Sequence, residues 1–407
     1  MGGRVSVSPL IWILTVVAIL ALLVFDYVFH VRGAHVPTIR EAAIWSALYV
    51  GIALAFGVGT LVLGGTAMGQ EYFAGYITEK ALSVDNLFVF LIIMTSFRVP
   101  RENQQKVLLV GIAISLLART GFILLGSALI NTFAWVFYLF GLALLITAGN
   151  MFRPQTEESH SAQNIMVRLS RKLFRTTERY QGDKLFTVQN GRRVMTPMVL
   201  VMVAIGGTDL LFALDSIPAI FGLTQNVFVV FTATAFSLLG LRQLYFLLDG
   251  LLDRLIYLSY GLAAVLIFIG AKLILHALHQ NNLPFVNGGE PVEVVEIGTG
   301  TSLLVILVVL VITIFGSLFS TRGRTQTAMA NVRRDAAAYL DAEYTVDPVE
   351  RERIYLRLIE ARDHIIALGP KAKQIVRNEP ELLDLCRRAS DSHAAAHPAH
   401  SSPLDRS

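Results

Sequence analysis

The chain has 407 residues, 54% hydrophobic and 16% charged, with a formal net charge of +4. Soluble domains carry about 45–50% apolar and about 25% charged residues, so this composition disfavours a soluble globular protein. The small positive balance sits in loops and tail instead of a stripe, which argues against nucleic-acid binding, and the lone Cys386 leaves neither a disulfide scaffold nor a cysteine metal site.

A spanning helix needs ~20 mostly apolar residues to cross about 30 Å of hydrocarbon. Apolar runs fall near 10–29, 42–64, 72–97, 107–129, 132–151, 198–220, 226–248, 256–278 and 300–319. They predict an all-α polytopic membrane bundle of about nine transmembrane helices. The first run, Leu10 to Phe29, ends in Phe-His-Val-Arg instead of a small-residue cleavage site and reads as a retained span.

Cytoplasmic loops hold an excess of Lys and Arg. One side collects Arg32, Arg40, Arg98, Arg101, Lys106, the basic 152–197 loop, Arg254 and the basic tail; the other has Arg4 alone. The Gln280–Gly300 loop carries Glu290, Glu293 and Glu296 with no Lys or Arg, as an exterior loop should. The expectation is a multi-pass protein of a bacterial inner membrane, N-terminus outside and C-terminus cytoplasmic. Residues 1–64 would form N-terminal spans, 65–151 and 198–279 two three-helix groups, and 280–320 an exterior loop and last span.

Within the 152–197 loop, Lys184–Val188 and Arg192–Thr196 flank Gln189-Asn190-Gly191, and Asn-Gly predicts a two-residue hairpin turn. The rest of that loop sets topology and meets anionic lipid. The tail, 321–407, reads as amphipathic helices over 327–343, 348–368 and 370–388 before a disordered end. His393, His397 and His400 there read as a compositional feature.

The two groups resemble each other. Ser115-Leu116-Leu117 followed by Arg119 matches Ser237-Leu238-Leu239 followed by Arg242, and Phe140-Gly141-Leu142-Ala143 matches Tyr260-Gly261-Leu262-Ala263. The preceding helices each carry two acids six apart, Glu79 with Asp85 and Asp209 with Asp215. With opposite orientations these are inverted repeats, an architecture that puts substrate sites near the midplane.

A charge at the bilayer centre costs at least ~2.5–3.5 kcal/mol on insertion scales, so intramembrane acids mark function by default. Lys80 and Arg119 are the compensating cations, Arg242 being near enough to the inner surface to snorkel. The four acids exceed these two cations by the charge of one divalent metal. Carboxylates and carbonyls suit hard ions such as Mg²⁺, Ca²⁺ and Mn²⁺. At ~100° per residue, positions six apart diverge by about 120°. Glu79, Ser83 and Asn86 therefore share one stripe and Asp209 and Ser216 another, with Asp85 and Asp215 to the side. Gly206-Gly207 and Pro218 bracket the second pair and predict a discontinuous helix there, with the Leu214 carbonyl freed as a ligand.

At these residues the chain resembles the TerC family of integral membrane proteins, named for tellurium resistance. Its signatures stand here as GYITEKALSVDNLFVF, Gly75 to Phe90, and TDLLFALDSIPAIFG, Thr208 to Gly222; the likeness covers roughly residues 40–280, including TTERYQGDKLF in the loop. The resemblance implies metal-ion homeostasis, with some members similar to manganese exporters. It also implies that Glu79, Asp85, Asn86, Asp209, Asp215 and Ser216 are the polar membrane residues. Many members have an acid where this chain has Gly206, which alters the ligand set.

The expected function is export of a divalent cation, manganese foremost with calcium or magnesium as alternatives, protons as counter-ion and no permanently bound cofactor. No nucleophile–base pair or cofactor motif points to an enzyme. Two other readings stay open: a purely structural ion-pair network of the acids with Lys80 and Arg119, and a membrane scaffold, insertion or stress-response factor in tellurite resistance. For Asn86 and Ser216, interhelical hydrogen bonding is the alternative to ligation. His276, His279 and the exterior glutamates read as a solvated loop.

Overall fold

A computed structural model describes residues 7–31, 37–97, 99–133, 135–152, 184–189, 192–248, 257–281, 283–284, 286–340, 348–367 and 380–396. The chain divides into two compact units, Met1–Leu247 with Ser259–Leu310 and Leu248–Leu258 with Val311–Ser407.

The first unit is built from apolar helices. α1, Pro9–Asp26, starts at Ser8, whose side chain accepts from the Ile11 N–H, and passes into a π-helical turn, Tyr27–Val31. Its end brings a buried Asp26 into the protein. α2 runs Ile39–Ser96 and is interrupted at Gly65, which has φ 87° and ψ 171°. Glycine takes that left-handed conformation at little cost, so one residue serves where the sequence predicted a gap over 65–71. The arms fold against each other: a Cβ on Gly57 would lie 2.5 Å from the Phe73 ring and one on Gly69 2.8 Å from Leu61 Cα. The Tyr72 hydroxyl donates to the Ala53 carbonyl at 3.0 Å.

α3, Arg101–Thr132, and α4, Val136–Met151, complete the first group. Strands β1, Phe186–Gln189, and β2, Arg192–Met195, pair antiparallel with Gln189 opposite Arg192, giving the hairpin that Asn190-Gly191 predicted. The remainder of the TTERYQGDKLF stretch before Lys184 lies outside the described residues. α5, Pro197–Phe221, packs on α3; α6, Val227–Leu238, packs on α2. Each group's first helix thus lies on the other's second. α7 is Leu241–Leu248, α8 Leu258–His279 and α9 Thr299–Phe319.

Among the described residues seven helices are long and apolar enough to cross a membrane, and α4 is a shorter apolar one. Leu63 is 87% and Leu117 76% exposed, as lipid-facing residues are and soluble surfaces avoid.

The predicted discontinuity falls elsewhere. α5 is unbroken through Gly206, Gly207 and Pro218. Gly206 is a packing residue: a Cβ there would sit 2.9 Å from Ile114 Cγ2, and one on Gly111 2.6 Å from Ile205 Cγ2. Small residues at this crossing let α3 and α5 approach closely. Pro218 lies in the last turn, where the Gly222 N–H still reaches its carbonyl at 2.9 Å. The break is in the next apolar stretch, where Leu239 is extended and Gly240 has φ 79° between α6 and α7.

In the second unit, α10, Thr321–Leu340, α11, Pro348–Ala367, and α12, Pro380–Ala396, share a core that includes Val332, Ala336, Tyr339, Ile354, Tyr355, Leu358, Leu382 and Ala389. The first two match the expected helices. The third overlaps the expected helix over 380–388, the part expected at 370–379 lying outside the described residues, and it runs on through 389–396, which the sequence had placed in a disordered end. His393 is not merely compositional; its ring stacks on Tyr355 with centroids 3.6 Å apart, and Nε2 lies 3.1 Å from Glu352 Oε2.

Candidate functional site

The signature of α2 and that of α5 meet at Arg119 of α3. Its Nε donates to Asp209 Oδ2 at 2.9 Å, one terminal nitrogen to Asp209 Oδ1 at 3.1 Å, and the other to Ser216 Oγ at 3.1 Å. The latter nitrogen also forms an ion pair with Glu79 Oε1. Asp209 and Ser216 share a face, as seven-residue spacing requires, so one guanidinium grips both. Glu79, Arg119 and Asp209 are at most 1% exposed. A forked guanidinium matches carboxylate geometry and stays charged when desolvated, so this triad is a fixed, buried ion-pair cluster.

Asp85 and Asp215 are partly buried and form no ion pair among the described residues. Asp85 Oδ1 accepts from Ser259 Oγ at 3.2 Å, and Asp215 lies within electrostatic reach of both Asp85 and Arg119. The six-residue spacing turned them off the stripe that holds Glu79 and Asp209. The four acids therefore form two groups: one neutralised in part by Arg119, the other an unpaired couple. Asn86 is buried beside Asp85 in the chain. Ser216 is a partner of Arg119, the interhelical bond that was the alternative to ligation.

Two cations are placed otherwise than expected. Lys80 Nζ donates to the Ser237 carbonyl at 3.0 Å. That carbonyl belongs to the last turn of α6, where acceptors lack helical partners and the dipole favours a cation. Arg242 does not snorkel; it is 2% exposed. Its Nε and a terminal nitrogen reach Asp26 Oδ2 and Oδ1 at 3.1 and 2.7 Å, and another nitrogen meets Gln105 Oε1. Tyr49 Oη at 3.0 Å and Gln243 Nε2 at 2.8 Å also donate to Asp26 Oδ1.

The charge count changes accordingly, because Asp26, Glu71 and Lys272 also lie within helices of apolar stretches. Glu71 Oε2 accepts from Thr224 Oγ1 at 2.6 Å and Lys272 Nζ donates to Ser302 Oγ at 3.0 Å. Asp26, Glu71, Glu79, Asp85, Asp209 and Asp215 stand against Lys80, Arg119, Arg242 and Lys272, so the acids still exceed the cations by the charge of one divalent ion. Asp26 and Lys272 lay inside predicted apolar runs and Glu71 at the edge of one. Their partners Arg242, Ser302 and Thr224, 30 to 216 positions away, were not legible.

Among the described residues no group of three or more His, Cys, Asp or Glu is placed to hold a metal. Asp85, Asp215 and neutral oxygens such as Ser259 Oγ are what the arrangement offers a cation.

A multi-pass helical membrane protein with carboxylates buried between its helices is the class these features define. Residues 64–325 match the model of the integral membrane protein TerC family, and the chain belongs to that family. It is 56% identical over 392 residues to an uncharacterized membrane protein of Mycobacterium tuberculosis, covering 95% of this chain and 98% of that one. An uncharacterized membrane protein of Myxococcus xanthus is 41% identical over 267 residues, 65% of this chain and 83% of its own. The Escherichia coli protein named "Putative membrane-bound redox modulator Alx" is 37% identical over 277 residues, 66% and 86% respectively. No solved structure matches.

Proposed function

We propose that this chain is a transporter, not an enzyme, that moves a hard divalent cation out of the cytoplasm in exchange for protons, with manganese the first metal to test. The observation that carries this reading is the Asp85–Asp215 couple: carboxylates from α2 and α5, within electrostatic reach of each other and without an ion pair. Two like charges in a poorly polarisable interior repel strongly, and one divalent cation removes that repulsion and cancels the net excess. Manganese and magnesium accept few protein oxygens and keep several waters, so two carboxylates and Ser259 are a sufficient protein contribution.

The neighbouring residues support the couple. The Arg119 cluster fixes α2, α3 and α5 against one another, and Lys80 is held by a helix end, so neither cation forms an ion pair with the couple. The distribution of Lys and Arg supports an exterior N-terminus and cytoplasmic C-terminus. A carboxylate must lose its proton to bind metal, which makes protons the natural counter-ion.

In proteoliposomes containing the full chain, Mn²⁺ flux should be present in the wild type and lost in Asp85→Asn with Asp215→Asn. Flux surviving that double change would sink the proposal. A second reading, a scaffold or stress-response factor in tellurite resistance or redox modulation, is favoured by the separate helical core of the tail and by the printed name of the E. coli relative. Removing residues 321–407 would abolish that role and leave metal flux intact.

A further inference from the structure

A cavity of about 440 Å³ opens where the ends of α5 and α8 meet the segment before α9; Glu71, Gln225, Lys272, His276 and Glu296 line it. The Asp85–Asp215 couple does not contribute to it. Glu71, partly buried in its wall, has a neutral direct partner, the Thr224 hydroxyl. Lys272, from α8, is within electrostatic reach of Glu71 but spends its hydrogen bond on Ser302. His276 Nε2 is 3.0 Å from Gln225 Nε2, and Glu296 and His279 act on it electrostatically.

The chemistry of this lining selects its ligand. Its acids and histidine do not form a metal-holding group, and Lys272 repels a metal ion. A carboxylate and an imidazole facing solvent can nevertheless take and release protons.

The same helical arm leads inward from the cavity to the couple. Counting 1.5 Å per residue, Glu79 lies about 12 Å and Asp85 about 21 Å beyond Glu71. Between Glu71 and Asp85, Thr78 Oγ1, Glu79 Oε2 and Ser83 Oγ are fully buried and have no hydrogen-bond partner among the described residues. Buried polar atoms are almost always satisfied, by water where protein offers nothing. These atoms are the positions on the arm that could hold water between Glu71 and Asp85.

We propose that the Glu71 cavity is the port through which the transporter exchanges its protons with solution. Glu71 receives a proton on a carboxylate oxygen from cavity water, and the Thr78–Glu79–Ser83 string with its water passes it inward; two such transfers, one for each carboxylate of the couple, replace the two charges of the departing metal. This rests on the transport reading above and adds to it a carrier separate from the metal-binding acids.

The test uses the full chain in proteoliposomes with a Mn²⁺ gradient, a trapped pH dye for protons, and Mn²⁺ binding by electron paramagnetic resonance. Glu71→Gln should bind Mn²⁺ like the wild type while Mn²⁺-driven proton flux falls about a hundredfold, the scale of a lost proton-transfer group. Glu71→Asp should restore flux, and Glu293→Gln, altering an exposed loop acid outside the cavity lining, should leave it unchanged. Wild-type proton flux in Glu71→Gln overturns the port, as does loss of Mn²⁺ binding in both Glu71 variants, which would mark a structural residue. A wild type that moves no Mn²⁺ overturns the transport reading and the port together.

Discussion

Arg119 grips Asp209 with two hydrogen bonds, 2.9 and 3.1 Å long, ninety positions apart in the sequence and at most 1% exposed. Removing one member of a buried ion pair typically costs about 3–5 kcal/mol because the other charge is stranded. Arg119→Met alone should lower the unfolding temperature in detergent sharply. Adding Glu79→Gln and Asp209→Asn should recover most of the loss, since hydrophobic or neutral replacements of whole buried clusters are tolerated. A triple variant no more stable than Arg119→Met would contradict the ion-pair account.

Asp85→Asn and Asp215→Asn should behave oppositely. Among the described residues neither acid forms an ion pair, so each neutral variant should unfold at or above the wild-type temperature while Mn²⁺ affinity falls by at least about tenfold, or 1.4 kcal/mol. Thermal unfolding and a binding titration on the same sample check both halves of this expectation.

Asp26 lies outside the family match, which begins at residue 64, yet it holds Arg242, which lies within it. Asp26→Asn should destabilise by about 3–5 kcal/mol by leaving the guanidinium without its counter-charge. Deleting residues 1–36 should be at least as damaging. Unfolding of the two proteins in detergent measures this, and an unchanged Asp26→Asn would show that Gln105 suffices.

Gly240 has φ 79°, and a Cβ there would lie 2.7 Å from Tyr49 Cβ. Gly240→Ala should cost about 1–2 kcal/mol for the left-handed backbone and about 1–3 kcal/mol for the overlap. Tyr49 donates to Asp26, so the strain should reach the Arg242 pair. Gly51→Ala, with nothing within 4 Å of the new methyl, is the control. Equal unfolding temperatures for the two variants would refute the assignment.

Much of this site was legible before any coordinates. Run lengths located the apolar helices, and the angular offset of Asp85 and Asp215 from Glu79 and Asp209 was legible, but all four acids were expected around one metal and their division by Arg119 was not. The misplaced helix break has a definite cause. Ser115 precedes Arg119 by four residues, but Ser237 precedes Arg242 by five; the extra residue, about 100° of helical rotation, cannot be absorbed without an interruption. Gly206 looked like a breaker because glycine lowers helix propensity, but between packed helices it serves approach. Asp26 was overlooked because an acid near the end of a run reads as a surface residue. Choosing Arg242's partner required the fold.

The tail supplies a prediction about pH. Burial pushes the Cys386 thiol above its ordinary range, against the opposing pull of nearby Arg362. The folded tail keeps its proton where an unfolded chain would ionise, so this group contributes nothing to stability below the ordinary thiol pKa of about 8.5 and an increasing penalty above it. Maleimide labelling at neutral pH should be slow in the native protein and accelerate in urea. With a single cysteine of low reactivity, a thiol–disulfide role for this chain would need a partner's thiol.

The second helices of the two groups differ mechanically. α3 is continuous over Arg101–Thr132, whereas its counterpart is jointed at Gly240. A rod and an elbow cannot bend alike, however similar the sequences around them. Any flexing of the second group is thereby confined to the α6–α7 elbow, on the side that holds Arg242, while α5 stays tied to the first group through Arg119.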